Sequence, residues 1–229
     1  MRPQLLIRKI HTWAGLILSI QLLLWFFSGF MMSWMPINEI HGDHLLKAPQ
    51  PQTANISQFD FSSLTSQIKQ PVISIKIKPW LDKTVIEIQT KQQVHLFDAT
   101  TLTQLSPINE QQVKEVIDFH IISDYSIDTI KNLNETPPEA RGRKAPLWQV
   151  QLTGPENPRI YVSTTGEIVA KRTDRWRLFD FLWMLHIMDY DERDNFNHPL
   201  LYLTALSALM FTLSGLMLIF WAFKRPKSQ

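Results

Sequence analysis

The chain has 229 residues, 45% of them hydrophobic and 19% charged, with 23 basic against 21 acidic side chains and no cysteine. The missing thiols exclude disulfide scaffolds, thiolate zinc sites, iron–sulfur clusters, covalent haem attachment through cysteine and cysteine nucleophiles. The near balance of charge, with no long basic stripe, excludes nucleic acid as a partner. The averages conceal two segments, Lys9 to Glu39 and Asp194 to Lys224, that each hold 29 residues without Asp, Glu, Lys or Arg. A helix crosses a bilayer in about 20 residues, so a purely soluble enzyme is excluded as well.

The first span opens on Arg2, Arg8 and Lys9 and runs from Ile10 to Met35. Its rival reading is a cleaved secretory signal, but the apolar run continues through Trp25, Phe26, Phe27, Phe30 and Trp34 without a small-residue cleavage pattern, so it is expected to stay as an anchor. The second span, Pro199 to Phe223, is followed at once by Lys224, Arg225 and Lys227. Lysine and arginine clustered outside a span mark its cytoplasmic side, which puts both termini in the cytoplasm of a bacterial inner membrane and the middle region in the periplasm. Trp13 and Trp221 fall at the inner interface and Trp34 and Tyr202 at the outer one, as an aromatic belt would.

Residues 37–53 read as a linker, with the proline-punctuated stretch Ala48 to Thr53 leaving the membrane. Residues 54–172 then alternate helix and strand signals twice. Phe61, Leu64 and Ile68 share a helical stripe, followed by period-two alternation at Ile73, Ile75 and Ile77 and by strands around Val85 and Val94. Val113, Val116, Ile117 and His120 repeat the helical spacing, followed by strands beginning near Ser126, Leu147, Arg159 and Glu167. Even the turns correspond, because the stretch from His95 through Thr100 and Thr101 matches the one from Ile160 through Thr164 and Thr165. The expected domain is an internal duplication, 54–107 and 108–172, each half a helix plus an antiparallel sheet. Asn132 to Pro146, with three prolines and a glycine, is expected as a mobile loop inside a hairpin of the second half. Residues 173–197 form an amphipathic juxtamembrane segment, with Trp176, Phe179, Trp183 and Ile187 on one stripe that suggests a helix lying in the outer interface.

Several of these residues carry a family resemblance. The opening of the first span, Ile10-His-Thr-Trp-Ala-Gly-Leu, resembles the start of the first helix in PepSY-associated transmembrane proteins, with Thr12 where that family usually has arginine. Ser28-Gly29, Leu185-His186 and Ser214-Gly215 with Trp221 are similar to that family too, and the strand with its Thr165-Gly166-Glu167 turn resembles the PepSY module. The resemblance implies an α+β membrane protein in which two transmembrane helices flank a periplasmic domain of two PepSY-like repeats. It further implies a role beside transmembrane electron transfer or iron and haem handling, with haem b as cofactor, since larger four-helix relatives are associated with ferric-siderophore reduction. The alternative is a non-enzymatic, membrane-anchored periplasmic module that binds or regulates a partner protein.

The candidate cofactor ligands are His11, His186 and His198; no catalytic residue is assigned. His11 and Gly15 share a helical face with Gly29 further along it, and a glycine beside a ligand leaves room for a flat macrocycle; otherwise His11 points into the headgroups. His198 precedes Pro199 and is a ligand or a residue of the helix N-terminus; His186 is a ligand or an interfacial anchor. Axial nitrogens must lie about 2 Å from one iron. His11 is therefore expected to pair only with a second subunit or a partner, while His186 can pair with His198. Cofactor cores are built from about four facing helices, so a homodimer or a membrane redox partner is expected. Small residues Thr204, Ala208, Thr212 and Gly215, with Gly15 and Ser19, offer close helix approach, either between copies or between the two spans of one chain. No resident metal is expected: His41-Gly-Asp-His44 with Glu39 reads as a solvated turn, and His120 as a core histidine.

The topology is checked with fusions. A reporter active only in the cytoplasm should work after Gln229, and one active only in the periplasm should work inside Asn132 to Pro146; a cytoplasmic signal from that loop would reverse the orientation.

Overall fold

The computed structural model describes residues 3–48, 64 and 66–223. Phe61, the linker residues from 49 onward and the basic residues Arg2, Lys224, Arg225 and Lys227 lie outside the described residues. The chain divides into two compact units, Met1–Pro36 with Arg177–Gln229, and Ile37–Trp176.

The first unit is built on the two apolar helices, α1 (Pro3–Trp34) and a C-terminal helix, Pro199–Phe223. Both are long and apolar enough to cross a membrane. Their sheltered positions recur at alternating spacings of three and four: Ile7, His11, Ala14, Leu18, Gln21, Trp25, Ser28 and Met32 on α1, and Leu201, Thr204, Ala208, Phe211, Gly215 and Leu218 on its partner. That repeat is the seam of a left-handed helix pair. His11 meets Ser214 while Gly15, four residues later, meets Phe211, three residues earlier. The helices therefore run antiparallel, and the start of one lies beside the end of the other. The opposite faces of α1, including Leu16, Ile17, Ile20 and Leu23, are exposed apolar surface suited to lipid. The small residues Gly15, Thr204, Ala208 and Gly215 serve this intramolecular seam, whereas Ser19 and Thr212 face outward and hydrogen-bond their own helix backbones.

The second unit carries two antiparallel meanders. β1 (Val72–Trp80), β2 (Lys83–Thr90) and β3 (Val94–Asp98) form one sheet in sequential order. β4 (Ser126–Leu133), β5 (Leu147–Thr153), β6 (Arg159–Ser163) and β7 (Ile168–Arg172) form the other, again in sequential order. Residues 37–48, expected as linker, are instead structured: α2 (Ile37–Ile40) and a 3-10 turn at Asp43–Leu45 bury Ile40 and Leu45. A second helix of this unit, α3 (Glu110–His120), starts with a full capping box in which the Asn109 side chain accepts from the Gln112 N–H and the Gln112 side chain accepts from the Asn109 N–H.

One core joins the halves. Val113, Val116 and Ile117 of α3 and Leu45 pack with Val85 and Leu96 of the first sheet and with Val150, Leu152, Ile160 and Val162 of the second. The period of two along β5 and β6 sends the alternate residues Leu147 and Tyr161 to the other face, where they pack with Ala140 and Ala170. Ala140 sits in a 3-10 turn of the Asn132 to Pro146 connection, which is tied to the sheet: the Glu139 carboxylate accepts from Arg159 and from the Tyr161 hydroxyl, and its carbonyl accepts from Arg172. Burial, together with the Glu139 charge, pushes the Tyr161 phenol up to about 12, so it remains a donor at any physiological pH.

The corresponding turns are closed by the same device. Asp98 accepts backbone N–H bonds from Thr100 and Thr101, and the Ser163 hydroxyl accepts from Thr165 and Glu167. They differ by one residue, since the Asp98 N–H reaches Thr103 while the Ser163 N–H reaches Glu167. Leu102 takes the left-handed conformation in the first turn and Gly166 in the second. The first half keeps only an isolated bridge, Phe97 to Gln104, where the second has the full strand β7.

Gly166 also holds the halves together. The indole of Trp80 at the end of β1 lies over it and donates to its carbonyl, so a Cβ at Gly166 would sit 2.6 Å from the indole nitrogen at a φ of +79°. Gly166→Ala should destabilise the protein by about 2 kcal/mol or more, from left-handed strain plus displacement of the indole. Thermal unfolding of the detergent-purified chain measures it, and a change near zero would mean that Trp80 is not seated there.

Candidate functional site

The membrane unit holds two histidine seats of the same design, each built from a serine–glycine pair on one helix and an imidazole from another. In the first, His11 of α1 lies against the C-terminal helix, α5 (Pro199–Phe223), with its Nδ1 2.7 Å from the Ser214 hydroxyl. Its ring stacks on Phe211 at 4.3 Å between centroids and 3° between planes. A Cβ at Gly215 would come within 3.1 Å of the imidazole Cε1, and a Cβ at Gly15 within 3.0 Å of the Phe211 ring. In the second seat, His186 of α4 (Asp174–Ile187) lies against α1. Its Nδ1 is 3.2 Å from both the Ser28 hydroxyl and the Trp25 carbonyl, and a Cβ at Gly29 would come within 3.0 Å of its Cε1.

The serines decide which imidazole nitrogen carries the proton. Ser214 donates its hydroxyl to the Phe211 carbonyl at 2.7 Å, and Ser28 donates to the Trp25 carbonyl at 3.0 Å. With that hydrogen spent, each serine oxygen can only accept from Nδ1, and the Trp25 carbonyl can only accept. For His186 the Trp25 carbonyl, which can only accept, makes Nδ1 the N–H of the neutral ring and leaves Nε2 its lone pair; His11 takes the same tautomer when Ser214 gives its hydrogen to the Phe211 carbonyl and not to the ring. A metal-binding histidine is oriented in this way, with one ring N–H anchored by the protein and the other nitrogen open.

The glycines have a different job from the one expected of them. Gly15 makes room for Phe211, Gly215 for His11 and Gly29 for His186, so the space they leave is filled by rings of the protein itself. Nor does His11 point into headgroups; it is half-buried in the helix seam. Gly29 stands eighteen residues beyond His11, about 27 Å of helix rise, so the two imidazoles belong to opposite ends of the helix pair. His198 is brought to neither seat by a hydrogen bond or ring contact. Its Nδ1 accepts from the Leu200 N–H at the start of α5, which makes it a helix-capping residue whose neutral ring carries its proton on Nε2.

Sequence reasoning passed over Gln21, whose amide nitrogen is buried in the membrane unit with no hydrogen-bond partner. Gln21 lies about 15 Å of helix rise from His11 and about 12 Å from Gly29. A polar side chain inside an apolar span was the available signal. The aromatic stripe of α4 is also turned inward: Ile187 is buried and Phe179 and Trp183 are half-buried, while Leu178 and Phe181 are the exposed apolar residues.

In the meander unit His120 and His44 have structural contacts. His120 bonds the Val116 carbonyl through Nδ1, and His44 lies 3.8 Å from Glu156. Asp43 pairs with Lys171 and Glu39 with Arg175, so the His41 to His44 turn does not gather its acidic and imidazole groups on one point. Among the described residues no group of three metal-ligating side chains converges. A polar groove of about 690 Å³ is lined by residues of both meanders, among them Gln89, Gln93, His95, Gln104 and Glu167.

These features define a membrane protein with one histidine seat between its two antiparallel spans, a second between α4 and α1, and a remaining unit that is a double antiparallel meander. The family described as the PepSY-associated TM region matches residues 8–229, and the chain belongs to that family. Comparison with curated proteins and with solved structures found no match.

The segment that presents His186 is fixed on its far side by Asp189, which accepts backbone N–H bonds from Asp191, Asp194 and Asn195. These bonds, led by that from Asn195, outweigh burial and hold the carboxyl below its ordinary value. A depressed folded pKa contributes stability above the unfolded value, near pH 4, and loses it as pH falls through the folded one. Asp189→Asn should lower the melting temperature at pH 7, with the gap to wild type narrowing as pH falls below about 4; a gap that stays constant or widens on acidification would refute the assignment.

Proposed function

We propose that this protein is an accessory to transmembrane electron transfer or to iron and haem handling, with His11 and His186 as axial ligands of haem b. The observation that carries this reading is the tautomer: each imidazole is anchored through Nδ1–H by a serine whose own proton is spent, and each presents Nε2. Bound haem would supply one-electron redox chemistry, and what this chain contributes is the ligand, its orientation and an apolar surround. Each end of the helix pair provides one such imidazole, so a second axial ligand comes from a second copy or from a membrane redox partner. His198 would serve at the outer end only by giving up its capping bond, because an accepting Nδ1 puts the proton of the neutral ring on Nε2. The proposed orientation places both termini in the cytoplasm and the meander unit in the periplasm, on the strength of the basic residues beside both spans.

The test is the absorption spectrum of detergent-purified protein, oxidised and dithionite-reduced, compared at equal protein with His11→Ala, His186→Ala and His198→Ala. Wild type should show a Soret band and a reduced α band, and the first two variants should each lose a substantial part of the haem. Ser28→Ala and Ser214→Ala, which leave the ligands but free their tautomers, should lower haem affinity by about tenfold or more. No haem in wild type, or unchanged content in all three histidine variants, would refute this reading. The protein would then be a membrane-anchored module that binds a periplasmic partner, for which the polar groove between the meanders is the candidate surface.

A further inference from the structure

We propose that the outer unit binds a phosphate group in a cationic cavity on the free edge of its four-stranded sheet, independently of any cofactor in the membrane unit. The cavity, about 280 Å³, is floored by the edge strand β7 and lined by Arg143, Lys171, Arg172, His41 and Asp43. Such a volume suits a phosphate or a small headgroup rather than a drug-sized ligand.

The charge balance around it is one-sided. Asp43 is the carboxylate that lines the cavity, and it is held at 2.9 Å by Lys171, which lowers its pKa below the usual carboxylate range. The half-buried Arg172 spends its Nε on the Glu139 carbonyl and one Nη on the Lys171 carbonyl, both neutral acceptors, and its guanidinium lies 4.1 Å above the Trp176 ring. Those contacts fix the plane of the guanidinium while leaving its charge uncancelled and its other Nη uncommitted. The nearest Glu139 carboxylate oxygen is already held by Arg159 and Tyr161. Arg143 also lines the cavity, and among the described residues neither its side chain nor that of His41 makes a hydrogen bond or ion pair. Burial, with the neighbouring charges of Arg143 and Arg141, pushes the Arg172 pKa below its ordinary value, which is the direction expected of a cation lacking a counter-ion.

A multiply charged anion offering oxygens in several directions answers this arrangement better than one carboxylate, because two guanidinium forks from different elements can grip separate oxygens at once. Phosphate is that chemistry. Two sources can supply it, free phosphate from solution or the phosphate of a lipid headgroup; six residues of chain separate Trp34, at the end of α1, from His41.

The experiment uses the full chain in neutral detergent at low ionic strength, with two probes. Inorganic phosphate is titrated calorimetrically, and phosphatidylglycerol is compared with phosphatidylcholine in mixed micelles by native mass spectrometry. Saturable uptake of either probe is expected, weakened about tenfold by Arg143→Gln, a surface substitution that leaves the fold intact, and further by Arg143→Gln with His41→Gln. Arg172→Gln should abolish uptake, with circular dichroism checking its fold. Uptake of phosphatidylglycerol alone assigns the membrane as the source, and uptake of inorganic phosphate alone assigns solution. Failure of both probes to saturate, or equal affinity in wild type and the Arg143→Gln variants, would overturn the proposal.

Discussion

The membrane unit depends on one steric exchange, in which a glycine on one helix gives up its side chain so that an imidazole from another can lie flat against the backbone. A Cβ at Gly29 or Gly215 would come to about 3 Å of the ring it faces, closer than a side chain tolerates, so helix approach and histidine placement are the same event. The serine beside each glycine completes the arrangement by spending its proton on the preceding turn of its own helix. Position, tautomer and burial of both imidazoles follow from two adjacent small residues. In an apolar surround an imidazole without a partner for its N–H is costly, and here the partner comes from the helix that makes room for the ring.

The outer unit solves a different problem. Neither meander can cover both of its faces, and the first lacks the fourth strand that the second has. The shared core resolves this by placing α3 and Leu45 where residues of both sheets converge, and by carrying contacts across the duplication: Trp80 on Gly166, and Lys78 bonded to both Glu87 and Glu167. The Lys78 ammonium is partly desolvated, yet its pKa is raised, because the two carboxylates outweigh the loss of water. A lysine of the first half thereby depends on a turn of the second, and the two halves form one compact unit.

Much of this was legible in the chain because the signals were local. The uncharged runs, the period-two strands and the helix over Val113 to His120 correspond to elements of the structure, and the two Thr-Thr turns lie where the strands end, while the first helix, expected around Phe61, lies largely outside the described residues. The segment from Ile37 to Ala48 was not legible: four helical residues and one turn carry too little periodicity to show that Leu45 would be wholly buried. The glycines failed for a related reason. Periodicity groups residues along one helix and therefore assigned Gly29 to His11, but a Cβ-sized gap is filled from outside the helix, and only the tertiary pairing shows that His186 fills it. Ser28-Gly29 and Ser214-Gly215 were visible as pairs, while their shared purpose was not, because it requires knowing which imidazole from another element faces each pair.

That antiparallel arrangement limits what the pair of seats can do together. Because each seat borrows its imidazole from a different element, His11 from α1 and His186 from α4, nothing in the helix seam brings the two rings to a common depth, and about 27 Å of helix separates them. One group bridging both is therefore impossible, and any joint action must pass along the seam, where the buried amide of Gln21 is the polar residue of α1 that lies between them. An apolar seam of this kind excludes water, which raises the cost of every unpaired polar atom in it. That the seam nonetheless retains His11 and Gln21, with His186 held against α1 beside it, where leucine would pack at no such cost, is the expense that the proposed ligand role would account for.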